Sequence, residues 1–517
     1  MLKLDVKWRD AAGLIVCLMG LAGCAVGPKY KLPEVKTASS FGELSLVTNA
    51  TQAAPVTDWW RTFNDPELNH LISEALQANY DVAISLAHIR ESRFQRSIVA
   101  ADLFPNIDAN GGYLRTRGSK NVQLSLGGSG SSDPPSSTKT KTAVSSNGDP
   151  PSSSPGPDPT STELSPFGLG GLPGVTSSLY QIGFDATWEL DVFGGNRKRL
   201  EAAADDLTAT VEQLRDTCLT LTAEVARDYL ELRGTQQRLA VAVENLGTQK
   251  EVLDLTKSQA KSGLATENDV FRATAQLSET AASIPGLQAN IRTLTHALST
   301  LLAQEPMALS KELESGKPLP LTPPVVPVGL PSDLLKRRPD IRHAERQIAA
   351  ATARLSSARA DLFPKFALTG GIGLDSTSPG TLFNAQSRYF LISPTVVWRV
   401  FDAGRIISNI ALQKATEKET ILQYRSIILT ALQQVEDALV AYGSEQTRHH
   451  DLNVAYENDR ESLKLTRSQY ENGLVSFIEV LDAERTLLLA QDNLVQSEET
   501  ITTDLVALYK ALGGGWH

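Results

Sequence analysis

The chain carries an apolar residue at every seventh position over two long stretches, and the second stretch repeats the first 210 residues later. In the first row these residues are Val270, Leu277, Ile284, Ile291 and Leu298, and in the second Val480, Leu487, Leu494, Ile501 and Leu508. A seven-residue repeat is under-wound relative to a straight α-helix, so helices that carry it supercoil against neighbours. The sequence therefore predicts an internally duplicated chain built from long helical hairpins.

A glycine turn precedes each row. Residues 256–264 have the sequence TKSQAKSGL and residues 466–474 have the sequence TRSQYENGL. Glycine after a helix end favours the left-handed conformation that closes many helices. Helical patterns cover about 195–262 and 266–302 in the first half, and about 405–471 and 477–512 in the second. We therefore expect four long helices, paired through turns at Gly263 and Gly473.

The hydrophobic period changes from helical to two in four shorter segments. They cover about 107–115, 178–191, 366–374 and 389–401, and the clearest alternation runs from Tyr180 to Leu190. Such strands form transmembrane β-barrels, with lipid outside and water inside, but soluble sandwiches show the same alternation. The presence of a secretion signal and the lack of a later apolar 18-residue run favour the barrel. Because the smallest barrels have about eight strands, four strands require an oligomer.

The remaining segments are poor in periodic pattern. Residues about 118–178 are dominated by Ser, Gly, Pro and Thr and are predicted to form a long extracellular loop. We expect residues 24–57 to form an extended arm, and the proline-rich residues 305–331 to form an equatorial linker wrapped outside the helices. The linker would separate a first repeat at 58–304 from a second repeat at 332–517.

The N-terminus has the pattern of a lipoprotein signal peptide. Lys3, Lys7 and Arg9 precede an apolar run over 11–22, which is too short to span a bilayer as a helix. The run ends in LAGC, which resembles a bacterial lipobox cut before Cys24. We therefore interpret residues 1–23 as a signal peptide and Cys24 as the acylated residue, the alternative being an ordinary secretory signal. The alanine after Cys24 favours the outer membrane.

Charge and composition argue against several functions. The net charge of −10 argues against nucleic acid as a partner. Cys218 is the one cysteine of the predicted mature body, so no intrachain disulfide is expected. Neither a Gly-x-Ser-x-Gly elbow nor a phosphate-binding glycine loop is present, and the adjacent His449 and His450 would point apart on a helix. We predict that the protein is not an enzyme and binds no cofactor or metal.

An ordered series of motifs resembles the family of outer-membrane efflux ducts, the TolC- and OprM-like outer membrane factors, in its NodT-type lipoprotein branch. The motifs are Cys24 with Val26, Gly27, Pro28, Tyr30 and Pro33; Trp59, Trp60, Phe63, Asp65 and Pro66; residues 188–194; Leu330, Pro331, Leu334, Leu335, Arg337, Arg338, Pro339 and Asp340; and residues 508–516. They span nearly the whole predicted mature chain.

The resemblance implies a mainly α fold with transmembrane β-strands and a homotrimer embedded in outer-membrane lipid. Each subunit would give four strands to one twelve-stranded β-barrel and its long helices to a periplasmic α-barrel. The turns at Gly263, Leu264, Gly473 and Leu474 would form the periplasmic tips. There the family docks a periplasmic adaptor, or membrane fusion protein, which works with an inner-membrane RND transporter.

The resemblance also implies a gate near the second turn. Glu479 and Asp482 are three residues apart and share one helix face. In the family an acidic pair here lines the closed entrance, and a tyrosine near the turn, Tyr470 in this chain, takes part in the bonds that hold it shut. Six carboxylates in a trimer would form a cation-attracting constriction. The alternative is that Glu479 stabilises the N-terminal end of its helix.

These features predict a passive exit duct that exports small molecules such as drugs in a tripartite efflux system. Two alternatives remain open at this stage. One is an outer-membrane duct for type I protein secretion, and the other is a non-conducting lipoprotein scaffold that spans the periplasm. The alternating strand at 180–190 separates the ducts from the scaffold, because a scaffold needs no barrel. The sequence does not specify the exported substrate.

Overall fold

A computed structural model describes residues 26–28, 30–34, 38–47, 50–53, 57–118, 175–263, 265–320 and 325–516. Three expectations lie outside these residues. They are the signal peptide with the lipidation site Cys24, nearly all of the loop predicted over about 118–178, and Leu264 of the first glycine turn.

Eight α-helices and six strands are found in the described residues. The helices are α1 (Pro66–Ala78), α2 (Tyr80–Ala101), α3 (Gly195–Lys261), α4 (Glu267–Leu301), α5 (Pro331–Arg337), α6 (Pro339–Ala360), α7 (Arg405–Glu471) and α8 (Phe477–Ala511). The strands are β1 (Ala50–Thr51), β2 (Asn106–Arg117), β3 (Thr176–Leu190), β4 (Val326–Pro327), β5 (Lys365–Ser376) and β6 (Arg388–Val397).

The long helices form two hairpins of matching length. Helices α3 and α7 have 67 residues each, and α4 and α8 have 35 each. Glycines in the left-handed conformation precede both 67-residue helices, namely Gly194 (φ 81°) and Gly404 (φ 83°). The seven-residue rows lie within α4 and α8, so the periodicity located these helices to within two residues. Within the described ranges, none of the helices is long and apolar enough to be a candidate membrane span.

One compact unit contains the helices and comprises Met1–Ala101, Asp191–Phe363 and Arg399–His517. Its core is closed by the C-terminal segment. The Trp59 ring stacks on Tyr509 with centroids 5.3 Å apart, and its Nε1 donates to the Gly514 carbonyl at 3.2 Å. The Arg338 guanidinium donates to the Ala511 carbonyl and to Gln434 Oε1, each at 2.8 Å. These bonds connect the start of α6 with the end of α8.

The N-terminal arm is not merely extended, because part of it folds onto α7. Residues Gly42–Leu46 form a 3₁₀ helix. The backbone N–H groups of Gly42 and Glu43 donate to the Glu436 carboxylate at 2.8 and 3.0 Å. Phe41 is buried in the main core. Side-chain burial, which composition alone did not reveal, therefore orders this part of the arm.

The linker at 305–331 packs apolar side chains against the helical core. Leu309, Leu313 and Val326 are buried in the main core. Strand β4 of the linker pairs in parallel with β1 of the arm, with Ala50 opposite Val326. The apolar residues between the linker prolines therefore pack inward, and the equatorial placement of the linker stays a prediction.

The second compact unit comprises Asp102–Leu190 and Pro364–Trp398. It is an antiparallel sheet of strand order β2-β3-β5-β6. Strand β3 begins at Thr176, slightly before the expected 178, because its ladder extends to Arg117. The strand expected over 389–401 ends at Val397, which pairs with Lys365, the first residue of β5. Within the described sheet, β2 and β6 each pair along one side only.

The register divides the sheet into two chemically different faces. The face that we call the apolar face carries Ile107, Tyr113, Tyr180, Ile182, Phe184, Trp188, Leu190, Phe366, Leu368, Ile372, Leu374, Phe390, Ile392 and Val396. The opposite, polar face carries Asp108, Asn110, Gln181, Asp185, Thr187, Glu189, Lys365, Thr369, Asp375, Tyr389, Ser393 and Thr395. The alternation of β3 therefore continues across the four strands, with Leu114, Leu179, Leu391 and Val397 as apolar exceptions on the polar face.

Candidate functional site

The two glycine turns close the helical hairpins in the same way. Gly263 has φ 73° and Gly473 has φ 72°, both left-handed. After α7, the Gly473 N–H donates to the Tyr470 carbonyl and the Leu474 N–H to the Gln469 carbonyl, each at 2.9 Å. A Cβ added at either glycine would meet no atom of the described chain within 4 Å. The backbone conformation, and not lack of space, therefore requires glycine at these positions.

The second turn exposes an apolar side chain. Leu474, which was predicted to dock a partner, is 75% exposed. A single exposed leucine is ordinary on a protein surface, so its exposure shows that the side chain is accessible and no more. The geometry therefore leaves Leu474 available for contact with a partner.

Tyr470 connects the two hairpins. Its hydroxyl donates to Gln259 Oε1 of α3 at 2.8 Å, and its ring lies 5.5 Å from that of Phe477. A small apolar cluster surrounds this contact and contains Leu253, Ala273, Phe477 and Val480. Because this cluster is small, few apolar contacts oppose separation of the hairpin ends.

Glu479 and Asp482 lie together on one surface, as the spacing predicted. They line a shallow depression of about 470 Å³ between α7 and α8, which Asp459 and Thr466 also line. Asp482 accepts a hydrogen bond from Arg485 at 2.8 Å, and both side chains are largely exposed. Glu479 accepts a bond from the Ser476 hydroxyl at 3.4 Å at the start of α8. The depression therefore has three carboxylates from one chain.

Sequence reasoning missed Asp459. The prediction considered only α8, the helix after the turn. It left out α7, the helix before the turn, which the hairpin places beside α8.

Two ion pairs above the acidic depression were also missed. Arg467 of α7 donates to Glu484 of α8 at 2.6 Å, and the Glu484 side chain is 5% exposed. The Arg238 guanidinium of α3 donates two hydrogen bonds to the Asp492 carboxylate of α8, at 2.8 and 3.1 Å. Hydrogen bonds of this kind between charged groups are stronger than neutral ones. Helix α8 is thus joined to both α7 and α3.

Glu499 lies about two turns beyond Asp492 along α8, in a crowded position. Its carboxylate lies directly over Gly234 of α3, where a Cβ would collide with it. Burial, reinforced by the nearby Glu231 carboxylate, raises the pKa of Glu499 to about 7, against the opposing effect of Arg238. This part of the α3–α8 contact is therefore sensitive to protonation near neutral pH.

Metal binding finds no support in the part of the chain that the structure describes. No group of three or more His, Cys, Asp or Glu side chains there has an arrangement that could hold an ion. His449 lies 3.8 Å from Glu498, which makes one pair and not a ligand set.

Long helical hairpins joined to a small antiparallel sheet define the subunit class of outer-membrane channels. A solved structure described as the outer-membrane channel OprN matches with a TM-score of 0.81 and 32% identity, and the match covers 95% of this chain and 100% of that one. The model of the outer membrane efflux protein family matches residues 71–304 and 330–514. The chain therefore belongs to the outer membrane efflux protein family.

Curated relatives are similar over nearly their whole length. Nodulation protein T of Rhizobium leguminosarum bv. trifolii is 29% identical over 505 residues, covering 96% of each chain. The toluene efflux pump outer membrane protein TtgC of Pseudomonas putida is 29% identical over 521 residues, covering 98% of this chain and 96% of the relative. The resemblance inferred from sequence motifs is thus confirmed at the level of the family.

Proposed function

We propose that the protein is the outer-membrane exit duct of a tripartite RND-type efflux system and passively exports small molecules. The observation that carries the proposal is the sheet of strands β2, β3, β5 and β6. The apolar face of this sheet extends over four strands, and its polar face carries charged side chains. The sheet is part of a chain of the outer membrane efflux protein family. A face of that kind suits lipid, and its opposite suits water.

The unpaired sides of β2 and β6 support a closed homotrimer. An exposed strand edge presents unpaired N–H and C=O groups, which are costly in lipid. Because the two edge strands run in opposite directions, β6 of one subunit can pair antiparallel with β2 of the next. Three copies then give twelve strands. In this arrangement the duplicated hairpins α3–α4 and α7–α8 form the periplasmic α-barrel.

The lipid anchor is supported by the start of the described arm. The Val26 N–H donates to the Phe193 carbonyl at 3.2 Å, and Phe193 follows the last residue of β3 by three positions. Cys24 precedes Val26 by two residues in the sequence, and Phe193 belongs to the segment between β3 and α3. This position suits the proposed acylation of Cys24 at the periplasmic surface of the outer membrane.

The turns at Gly263, Leu264, Gly473 and Leu474 are proposed as the docking points for a periplasmic adaptor and, through it, an inner-membrane RND transporter. The exposed Leu474 and the equivalent closure of both turns support this role. TtgC of Pseudomonas putida is by its name part of a toluene efflux pump. A similar assembly is proposed for this chain, without a particular substrate.

Tyr470, Glu479 and Asp482 are proposed to form the periplasmic gate. The Tyr470 bond to Gln259 holds the two hairpins together, and the acidic depression supplies negative charge beside it. With threefold symmetry, the carboxylates of Glu479 and Asp482 give six negative charges at one constriction. Such a ring attracts cations and excludes anions.

A conductance experiment tests the gate. We expect Glu479→Gln combined with Asp482→Asn to raise single-channel conductance in planar bilayers and to lower cation preference, because the charge ring is removed. Glu457→Gln with Glu461→Gln, two exposed carboxylates of α7, is the matched control and should leave selectivity unchanged. Equal selectivity in the gate variant and the wild type would remove this assignment.

A further inference from the structure

Three arginines occupy the apolar face of the sheet at one end. Arg115 and Arg117 close β2, where they pair with Ser178 and Thr176 of β3, and Arg388 opens β6, where it pairs with Leu374. All three arginines are exposed. The end of β2 and the start of β6 lie at the same end of the antiparallel sheet, opposite to the strand ends that lead into the helices.

The positive charge of this end is not balanced on the same face. The carboxylates of the four strands, Asp108, Asp185, Glu189 and Asp375, all lie on the polar face of the described sheet. Arginine on a lipid-facing surface is costly at the bilayer midplane and nearly neutral at the interface. The three arginines therefore mark the level of the lipid headgroups.

Aromatic rings border the arginines on the apolar side. Tyr113 and Tyr180 lie with ring centroids 4.7 Å apart, and the Tyr113 hydroxyl lies 3.3 Å from the Ser178 hydroxyl. Aromatic residues gather at both interfaces of membrane barrels. The Tyr113 and Tyr180 rings thus lie between the remaining apolar face and the guanidinium groups of Arg115 and Arg117, as at the boundary between acyl chains and headgroups.

Arg388 also stands at the rim of an apolar groove. The groove has a volume of about 890 Å³ and is lined mainly by Ile182, Phe184, Ile372, Leu374, Phe383 and Phe390. Phe383 belongs to the β5–β6 connection and is 78% exposed. An apolar groove with a guanidinium at its rim matches a lipid acyl chain that ends in an anionic headgroup.

We propose that this end of the sheet binds a phosphorylated glycolipid of the outer leaflet at each seam between subunits. The assignment rests on the proposed trimeric barrel, in which β6 lies beside β2 of its neighbour. Arg388 then joins Arg115 and Arg117 of the partner subunit on adjacent strands. Three guanidinium groups face a headgroup with two phosphates, and arginine binds phosphate through paired hydrogen bonds. One acyl chain lies in the groove beside Arg388.

Native mass spectrometry of the detergent-purified full chain tests this site. The probes are bis-phosphorylated lipid A, the same lipid without phosphates, and phosphatidylglycerol. We expect the bis-phosphorylated form to bind best, and Arg388→Gln and the double variant Arg115→Gln with Arg117→Gln to weaken it by about tenfold each. Arg388→Lys should retain part of the binding, because it keeps the charge but loses the paired geometry.

Lys365→Gln is the matched control, since it removes a cation from the polar face of the same sheet. It should leave glycolipid binding unchanged. Trimer mass and channel conductance, measured on every variant, report on the proposed function separately. Trimeric, conducting arginine variants that bind the glycolipid like the wild type overturn the site alone. Equal binding of the dephosphorylated lipid, or of phosphatidylglycerol, overturns the choice of a phosphorylated glycolipid.

Discussion

The Glu499→Gln substitution should make the contact between α3 and α8 stronger at alkaline pH. The Glu499 carboxylate lies over Gly234, and its Oε2 has no hydrogen-bond partner within the described part of the chain. The charged groups that face it are Glu231 and Arg238 of α3 and Asp492 of α8, and Asp492 already occupies Arg238. Ionised Glu499 is therefore poorly compensated, whereas the neutral amide of glutamine carries no charge to desolvate.

The direction of the effect follows from the raised pKa. Burial, the largest cause, raises the pKa of Glu499 from 4.5 to about 7. Below about pH 4.5 the group is protonated in the folded and unfolded chains alike. Between about pH 4.5 and 7 the unfolded chain loses the proton first, so stability falls as the pH rises, and above about pH 7 the loss is complete. A shift of this size corresponds to about 3 kcal/mol, which partial exposure reduces to about 1–2 kcal/mol.

Hydrogen exchange of α8 amides near Glu499 measures this local free energy directly. At pH 8.5 we expect Glu499→Gln to slow exchange by about 5- to 30-fold relative to wild type, since each 1.4 kcal/mol corresponds to a factor of ten. At pH 4.5 the two proteins should exchange alike. Glu279→Gln, which removes an exposed carboxylate of α4, is the control. A ratio between variant and wild type that is the same at both pH values would refute the reasoning.

Five further substitutions, in three experiments, test the helical unit. Gly473→Val should impair adaptor docking in a pull-down with the cognate adaptor, because a β-branched residue resists a φ of 72°; wild-type export in cells would count against the tip assignment. On α3, Gly247→Ala should raise the thermal midpoint slightly, since its Cβ meets open space, whereas Gly234→Ala should lower it by collision with the Glu499 carboxylate. Arg233→Met should destabilise the fold by about 3 kcal/mol in denaturant unfolding, because its buried carboxylate partner loses a charge-assisted bond; Lys317→Met, at a half-exposed position, should cost less than about 1 kcal/mol.

The helices were predictable because their determinants are local. The seven-residue rows fall within α4 and α8, and the turn glycines Gly263 and Gly473 both have positive φ. Asp65 caps α1 directly before Pro66, accepting bonds from the Glu67 and Leu68 N–H groups at 2.8 and 3.2 Å. Periodicity and capping depend on neighbours within a few residues, so they are visible in the sequence.

Contacts between distant segments were not predictable in the same way. The hydrogen bond from Arg338 to the Ala511 carbonyl and that from the Gly42 N–H to the Glu436 carboxylate join residues far apart in the chain. Both partners are ordinary residue types without a distinctive local pattern. The buried linker residues were missed for the same reason, since prolines dominated the local signal and the pairing of β1 with β4 is set by the fold.

The site was predictable in part. The spacing of Glu479 and Asp482 placed them on one surface, and the structure adds Asp459 from the opposing helix. The placement of Arg115 and Arg388 on the apolar face could be known only from the strand register, because a slip of one residue would have moved them to the polar face. The gate role of Glu479 and Asp482 and the lipid contacts of Arg115 and Arg388 stay predictions.

Single-channel recording of the purified chain in planar bilayers tests the central claim most directly. The account predicts stable stepwise ion currents with a preference for cations, because three copies enclose a water-filled pore lined by the polar face of the sheet and narrowed by acidic residues. Protein that inserts into the bilayer but carries no ion current would contradict the duct and favour a non-conducting scaffold.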